Sequence, residues 1–249
     1  MDCKITIEQL LQRYAAGERE FTGINLNGAD LSGIDLSEID LDCAELENTN
    51  FSNTNLSGAG LGSAQLIGAN FSGANLKEAW LNSADLTEAN FCGALLEDAN
   101  LESADLADSN FSGANLKNGF LSRINCEDAN LTQADLSGCN ITEAGFYKAI
   151  LIGADLSNTK LHQTMFDGAN LTGSKFCGAI LDETSFTGAN LSNADLRGVK
   201  PGYMFNEPRL MGRGWDDAIL CNTIMPDGSI RYDNCGDDSL NYETSQYET

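Results

Sequence analysis

A bulky side chain recurs every five residues. It begins at Phe21, Leu26 and Leu31 and continues to Phe186, Leu191 and Leu196. These are 36 consecutive positions without an insertion or deletion: 25 Leu, 9 Phe, Cys126 and Ile141. From Leu26 on, the residue two places before each centre is Ala in 22 of 35 cases and otherwise Thr, Ile, Ser, Gly or Cys. The residue one place before is Asn or Asp in 22 of 35. The two residues after it are mostly small or polar. Internal repeats outrank other sequence signals, because each unit can bury its apolar side only against its neighbours.

A period of five suits neither an α-helix nor a flat strand. It suits a short strand piece followed by a corner. Ala points in, Asn or Asp points out and Leu points in, as strand alternation requires. The next two residues turn the chain, a task for which Gly, Ser, Asn and Asp are fitted. Four such sides close a square coil of 20 residues, and stacked coils pair at the strand spacing of about 4.8 Å. Phe51, Phe71, Phe91 and Phe111 lie 20 apart, as do Phe146, Phe166 and Phe186. This predicts a stacked aromatic column along one face of the core.

The segments GADLSGIDL, SGANLKEAWLNSADL and TGANLSNADL resemble the pentapeptide-repeat family. The resemblance covers residues 21–198, most of the chain. It implies an all-β solenoid, a right-handed quadrilateral β-helix of about nine coils. The hand comes from the family alone. LLQRYAAGEREF resembles the helical start of cyanobacterial members, and ILCNTIMPDGSI resembles an ending that recurs among them.

Residues 1–20 are expected to carry an N-terminal capping helix. Thr6 and Gln9 form a capping-box pattern, Ile7, Leu10, Leu11 and Tyr14 share a face, and Gly17 suits the C-terminal stop. Such a helix would cover the open apolar end and the free backbone edge of the first coil. Residues 21–198 form the β-helix. Residues 199–235 are expected to form an irregular loop, a partial coil and a hairpin cap. Pro201 occupies the next centre and cannot donate to a ladder. The rhythm resumes at Ala218-Ile219-Leu220 and Thr223-Ile224-Met225, and Pro226-Asp227-Gly228 signals a turn. Residues 236–249 are polar and acidic and read as a disordered tail.

Charge bounds the function. The chain carries 37 acids against 14 bases, net −23. A direct nucleic-acid binder needs a basic footprint, so direct nucleic-acid binding is not expected. No apolar run is long enough to cross a membrane, and the N-terminus shows no secretory signal. A cytoplasmic monomer is the expectation. His162 is the one histidine. With no nucleophile–base pair, phosphate loop or metal cluster, neither enzymatic activity nor a cofactor is expected. Asp35, Asp40 and Asp42 lack the spacing of a calcium loop. His162, after core Leu161, reads as plain surface. Eight Asn-x-Ser/Thr sequons follow from the repeat itself.

Cys43, Cys92, Cys126, Cys139 and Cys177 occupy repeat slots and read as structural, since free cysteine packs as a small hydrophobe. Cys221 and Cys235 flank Pro226-Asp227-Gly228 nearly symmetrically. A disulfide is possible across that hairpin, although the cytosol would keep it reduced.

Two candidate partner surfaces remain. The outward position before each centre is apolar at Trp80, Leu95, Phe120, Ile150, Met165 and Ile180. Trp80, Phe120 and Ile180 differ by multiples of 20 and fall on one side of the prism. Isolated exposed hydrophobes are ordinary, but three on one side also read as a docking stripe for a protein partner. The second candidate is acidic. No base lies between Arg19 and Lys77, whereas Asp30, Asp35, Asp40, Glu45 and Glu47 do. Residues 21–198 carry net −17 over a rod of about 43 Å, roughly 0.4 charges per Å against about 0.6 for duplex DNA. The family resemblance adds that some members bind gyrase as DNA mimics, although the quinolone-resistance type has loops interrupting its coils and residues 21–198 have none. The expected function is a non-catalytic, regulatory protein–protein interaction scaffold whose partner the sequence does not identify. The alternative is a DNA-mimicking binder of a topoisomerase such as gyrase.

Overall fold

A computed structural model describes residues 5–201 and 214–235. The repeat folds as a parallel solenoid. Parallel bridges join each outward residue to its counterpart four repeats later, from Glu20↔Asp40 through Lys175↔Asp195. Four successive bridges make one circuit, so the coil is four-sided. Side 1 carries Asp40, Gly60, Trp80, Asn100, Phe120 and Asn140, followed by Lys160, Ile180 and Lys200. Side 2 begins at Asn25 and Glu45, side 3 at Asp30 and Asn50, and side 4 at Asp35 and Asn55.

The backbone bonding is regular. Each centre N–H donates to the carbonyl of the outward residue on the next coil, as Leu31 does to Asn50 at 2.8 Å. Each outward N–H donates to the alanine-slot carbonyl of the preceding coil, as Asn50 does to Ala29 at 2.8 Å. The corner closes with a turn bond such as Ala29 N–H to the Leu26 carbonyl at 2.9 Å. Most sides are therefore single rungs rather than strands. Side 1 alone broadens at its far end into β1 (Lys160–His162), β2 (Ile180–Asp182) and β3 (Lys200–Pro201), in parallel register.

Every residue two places after a centre, from Gly23 to Gly198, has a positive φ, and 21 of them are not glycine. This is the third position of a type II turn, which requires φ > 0. Glutamate, lysine, arginine and glutamine accept it at Glu88, Lys148, Arg123 and Gln133. The ladder bonds on both flanks hold these corners against an intrinsic cost of about 1–2 kcal/mol each.

The core is a pile of centres with alanines beside them. Leu31, Leu36, Leu101 and Phe91 are fully buried, as are Ala59, Ala79 and Ala99. Polar residues in the alanine slot find backbone carbonyls. Thr49 donates to the Leu26 carbonyl at 2.9 Å and Thr54 to that of Leu31 at 2.7 Å, each on the preceding coil. No buried hydroxyl is thereby left unpaired among the described residues, which would otherwise cost about 1–3 kcal/mol. The aromatic residues form two columns rather than one. Phe51, Phe71, Phe91 and Phe111 stack at centroid spacings of 5.0, 4.7 and 4.4 Å. Phe146, Phe166 and Phe186 stack at 5.0 and 5.3 Å on a neighbouring side, since the step from Phe111 to Phe146 is seven repeats and not a whole number of coils. Phe176 meets Phe166 and Phe186 edge-on.

Helix α1 spans Ile7–Ala15. Thr6 caps it, and both capping-box bonds are formed with Gln9. Leu10 is fully buried against the first coil, with Ile7, Leu11 and Tyr14 partly buried beside it. Tyr14 Oη donates to the Ser37 carbonyl at 2.9 Å, and the Arg13 guanidinium lies 5.0 Å from the Phe21 ring centre.

At the other end, Asn190 bridges Ile219 and Asp195 bridges Ile224. These steps are longer than one regular coil, so the solenoid resumes after an insertion. Residues 202–213 of the expected loop, and the expected tail at 236–249, lie outside the described residues. Short β4 (Thr223–Ile224) and β5 (Ile230–Arg231) pair antiparallel around Pro226-Asp227-Gly228. Cys221 and Cys235 are bridged beneath this hairpin, with Cα atoms 5.3 Å apart.

Candidate protein-docking face

Outward Asn and Asp residues form side-chain ladders. On side 3, Asn50 Nδ2 donates to Asp30 Oδ1 at 2.9 Å, Asn70 to Asn50 at 3.2 Å, Asn90 to Asn70 at 3.2 Å and Asn110 to Asn90 at 3.1 Å. Each Oδ1 also accepts the N–H two residues on, as Asp30 does from Ser32 at 3.1 Å. Satisfied amides of this kind leave a polar, closed surface.

Side 1 breaks that pattern. Trp80 is 57% exposed and Phe120 is 53% exposed, with the Asn100 rung between them. The cleft between the two rings encloses about 420 Å³. Asn100 lies at its floor, Glu78 and Asp98 on one rim and Glu102 on the other. Glu102 pairs with Arg123, whose Nε also donates to Ser103 Oγ at 3.2 Å. Asn100 Oδ1 accepts from Glu102 N–H at 2.9 Å. Its Nδ2 has no acceptor among the described residues, because Trp80 stands where a ladder partner would be.

The other predicted residues are distributed differently. Ile180 is on side 1 but mostly buried, within β2 and three rungs beyond Phe120. Asp40, Glu45, Asp30 and Asp35 occupy sides 1, 2, 3 and 4 respectively, and Glu47 the corner after side 2. The acids thus encircle the first coils and do not share a face. Hydrogen bonds from the Ser32 hydroxyl and N–H hold the Asp30 carboxyl below the usual range, and the Ser37 N–H and hydroxyl do the same for Asp35.

Several single-residue expectations need correction. His162 is not plain surface: its Nδ1 lies 2.9 Å from Asp182 Oδ2 on the next coil. Cys43 and Cys92 are exposed corner residues, so core packing does not explain them. Cys126 and Cys139 are buried, and burial pushes the Cys139 thiol up to about 12 and the Cys126 thiol higher still. A second apolar cluster lies around the corner of sides 2 and 3. Exposed Tyr147 reaches Met165, and Ile150 and Ile152 follow on the same coil as Tyr147. Tyr147 and Ile152 occupy corner positions, where a bulky apolar residue in a slot normally held by Ser, Thr or Lys is the signal. Among the described residues no cluster of His, Cys, Asp and Glu suits a metal ion. No described helix is long and apolar enough to cross a membrane.

The model of pentapeptide repeats, in eight copies, matches residues 20–58, 50–87, 84–123, 124–163 and 165–200. The chain belongs to the pentapeptide-repeat family. No curated protein matches it by sequence. Among solved structures it is similar to HetL, a pentapeptide-repeat protein involved in heterocyst differentiation regulation in the cyanobacterium Nostoc sp. strain PCC 7120. That pair is 32% identical over 91% of this chain and 100% of HetL, with a TM-score of 0.46. It is similar in fold to QnrB1, a plasmid-mediated fluoroquinolone resistance protein, at 24% identity over 73% of this chain and 91% of that one, TM-score 0.66. A third similar structure is a pentapeptide-repeat protein of the Arabidopsis thaliana thylakoid lumen, 34% identical over 39% of this chain and 68% of that one, TM-score 0.27. Membership of the family, with the fold match to QnrB1, implies a right-handed β-helix.

Proposed function

We propose that the protein is a non-catalytic interaction scaffold that docks a protein partner on side 1, at Trp80 and Phe120. The observation that carries this is the exposure of both aromatics in slots that the repeat fills with Asn or Asp. The fold does not need them there, since Asn supplies a ladder bond and a large ring in water supplies none. Aromatic residues that a partner desolvates tend to dominate interface energy. The rigid ladder around them spares the partner the cost of ordering the surface. The scaffold acts as a monomer without touching nucleic acid or membrane, since its net charge repels polyanions.

A second reading is mimicry of DNA toward a topoisomerase such as gyrase. It is favoured by the acids of the first coils: Asp30, Asp35, Asp40, Glu45 and Glu47 have no base near them in sequence from Arg19 to Lys77. Trp80→Asn with Phe120→Asn restores the repeat and should abolish co-purification of the partner that native protein retains. Inhibition of gyrase supercoiling by native protein, lost when the five acids become Asn or Gln, would instead establish the second reading.

A further inference from the structure

The side 1 cleft has walls, floor and rim of distinct chemistry, and together they select one kind of occupant. The walls are the Trp80 and Phe120 rings, two rungs apart, which is about 10 Å at strand spacing. A gap of that size admits one side chain between the rings. The floor offers a hydrogen-bond donor, Asn100 Nδ2, which has no acceptor among the described residues. The rim is acidic, with Glu78 and Asp98 on one edge and Glu102 on the other. Lys77 stands beside Glu78 in sequence, yet its Nζ turns to Glu97 at 3.4 Å. Lys117 also acts on Glu97. Arg123 is held by Glu102 and Ser103. Lys77 and Lys117 thus face Glu97, and Arg123 neutralises Glu102 on the far rim, which leaves Glu78 and Asp98 as the acidic edge of the cleft.

We infer that this cleft binds an arginine-bearing segment of the partner protein, an assignment that rests on the docking reading above. A guanidinium between two rings gains cation–π attraction, which is best over Trp. Its forked N–H donors match carboxylates at the rim better than a lysine's point charge does. Asn100 Oδ1, which accepts the Glu102 N–H, has a second lone pair that can accept a guanidinium N–H at the floor. A neutral apolar side chain would fill the gap but leave the rim carboxylates desolvated without a partner, which costs binding energy.

The test uses full-length protein and a capped peptide of alternating Gly and Arg. The comparison peptide carries citrulline, which keeps the shape and removes the charge. Binding is read from the Trp80 indole N–H resonance, with that of Trp215 as internal reference. Saturable binding of the arginine peptide is expected, about tenfold tighter than the citrulline peptide. Phe120→Ala, which leaves the reporter in place, should weaken it by about tenfold or more. Asp98→Asn should weaken it several-fold, whereas Glu88→Gln, an equal charge change at a corner away from the cleft, should not. Equal binding of the two peptides, or indifference to Phe120→Ala, overturns the assignment. If that happens while the Asn double variant still loses the co-purified partner, the docking reading survives and only the occupant is wrong. If the double variant keeps its partner as well, both fail.

Discussion

Phe71 and Phe91 stack face to face, with ring centroids 4.7 Å and planes 8° apart. One circuit of the chain brings one ring above the other, so the spacing of the stack is the spacing of the backbone ladder. Phe91→Ala would open a cavity between Phe71 and Phe111 and should destabilise by about 3–5 kcal/mol. Phe91→Leu, the commonest centre residue, should cost about 1 kcal/mol, because the site has leucine-filled neighbours. Denaturant unfolding of the two variants checks the difference.

Leu101 and Glu102 are adjacent yet opposite in role. Leu101 is fully buried and Glu102 is at an exposed corner, paired with Arg123. Leu101→Asp should bury an unpaired charge and lose several kcal/mol or unfold its coil. Glu102→Ala should stay within about 0.5–1 kcal/mol. Equal losses in thermal melts would contradict the five-residue register.

The corners allow a test of backbone strain. Glu88 has φ 59°, and no residue with a Cβ holds that conformation freely. Glu88→Gly should leave stability unchanged or raise it by up to about 1 kcal/mol, because the left-handed penalty disappears while unfolded-state entropy rises. Glu88→Val should lower it by about 1–2 kcal/mol, since β-branched residues tolerate this region worst. A melt in which the valine variant equals the glycine one would remove the strain argument.

Asp195 is held down to about 2, chiefly by the Arg197 side chain, whose Nε lies 2.9 Å from Oδ1. A carboxyl whose folded pKa is depressed adds stability above its unfolded value and loses it as pH falls through the folded value. The contribution should therefore be complete above about pH 4 and fade between about pH 4 and 2. Arg197→Ala should return the Asp195 carboxyl toward the ordinary carboxylate range in a carbon-detected NMR titration. A midpoint that does not move would show that the Asp195 environment, and not Arg197, sets it.

Helix α1 packs Leu10 against the core of the first coil. Removing residues 1–18 should cause end-to-end association or aggregation rather than collapse of the rod, because each coil depends only on its neighbours. Light scattering that finds the truncated chain monomeric and equally soluble would refute the capping role.

Much of this structure is legible in the sequence because one rule repeats. The spacing of Leu and Phe centres assigns inward and outward residues, and the shared side of Trp80 and Phe120 follows from a separation of two whole coils. The same arithmetic separates the two phenylalanine columns, since seven repeats are not a whole number of coils. What the outward slots alone conceal is contact between corners. The His162–Asp182 pair joins corner residues of successive coils, and Tyr147 reaches Met165 from a corner. The cleft itself is invisible in a string of letters: it exists because two large rings flank a small rung, which leaves Asn100 without its ladder acceptor.

The central claim is that exposed aromatics on side 1, and not the acidic coils, hold the partner. Calorimetric titration of the purified partner into three proteins tests it: native, Trp80→Asn with Phe120→Asn, and the variant lacking the charges of Asp30, Asp35, Asp40, Glu45 and Glu47. The aromatic variant should lose binding by about a hundredfold or more, while the five-charge variant stays within a few-fold of native at about 0.1 M salt, where exposed charges are screened over about 10 Å. Native-like binding by the aromatic variant, with loss confined to the five-charge variant, would contradict the account.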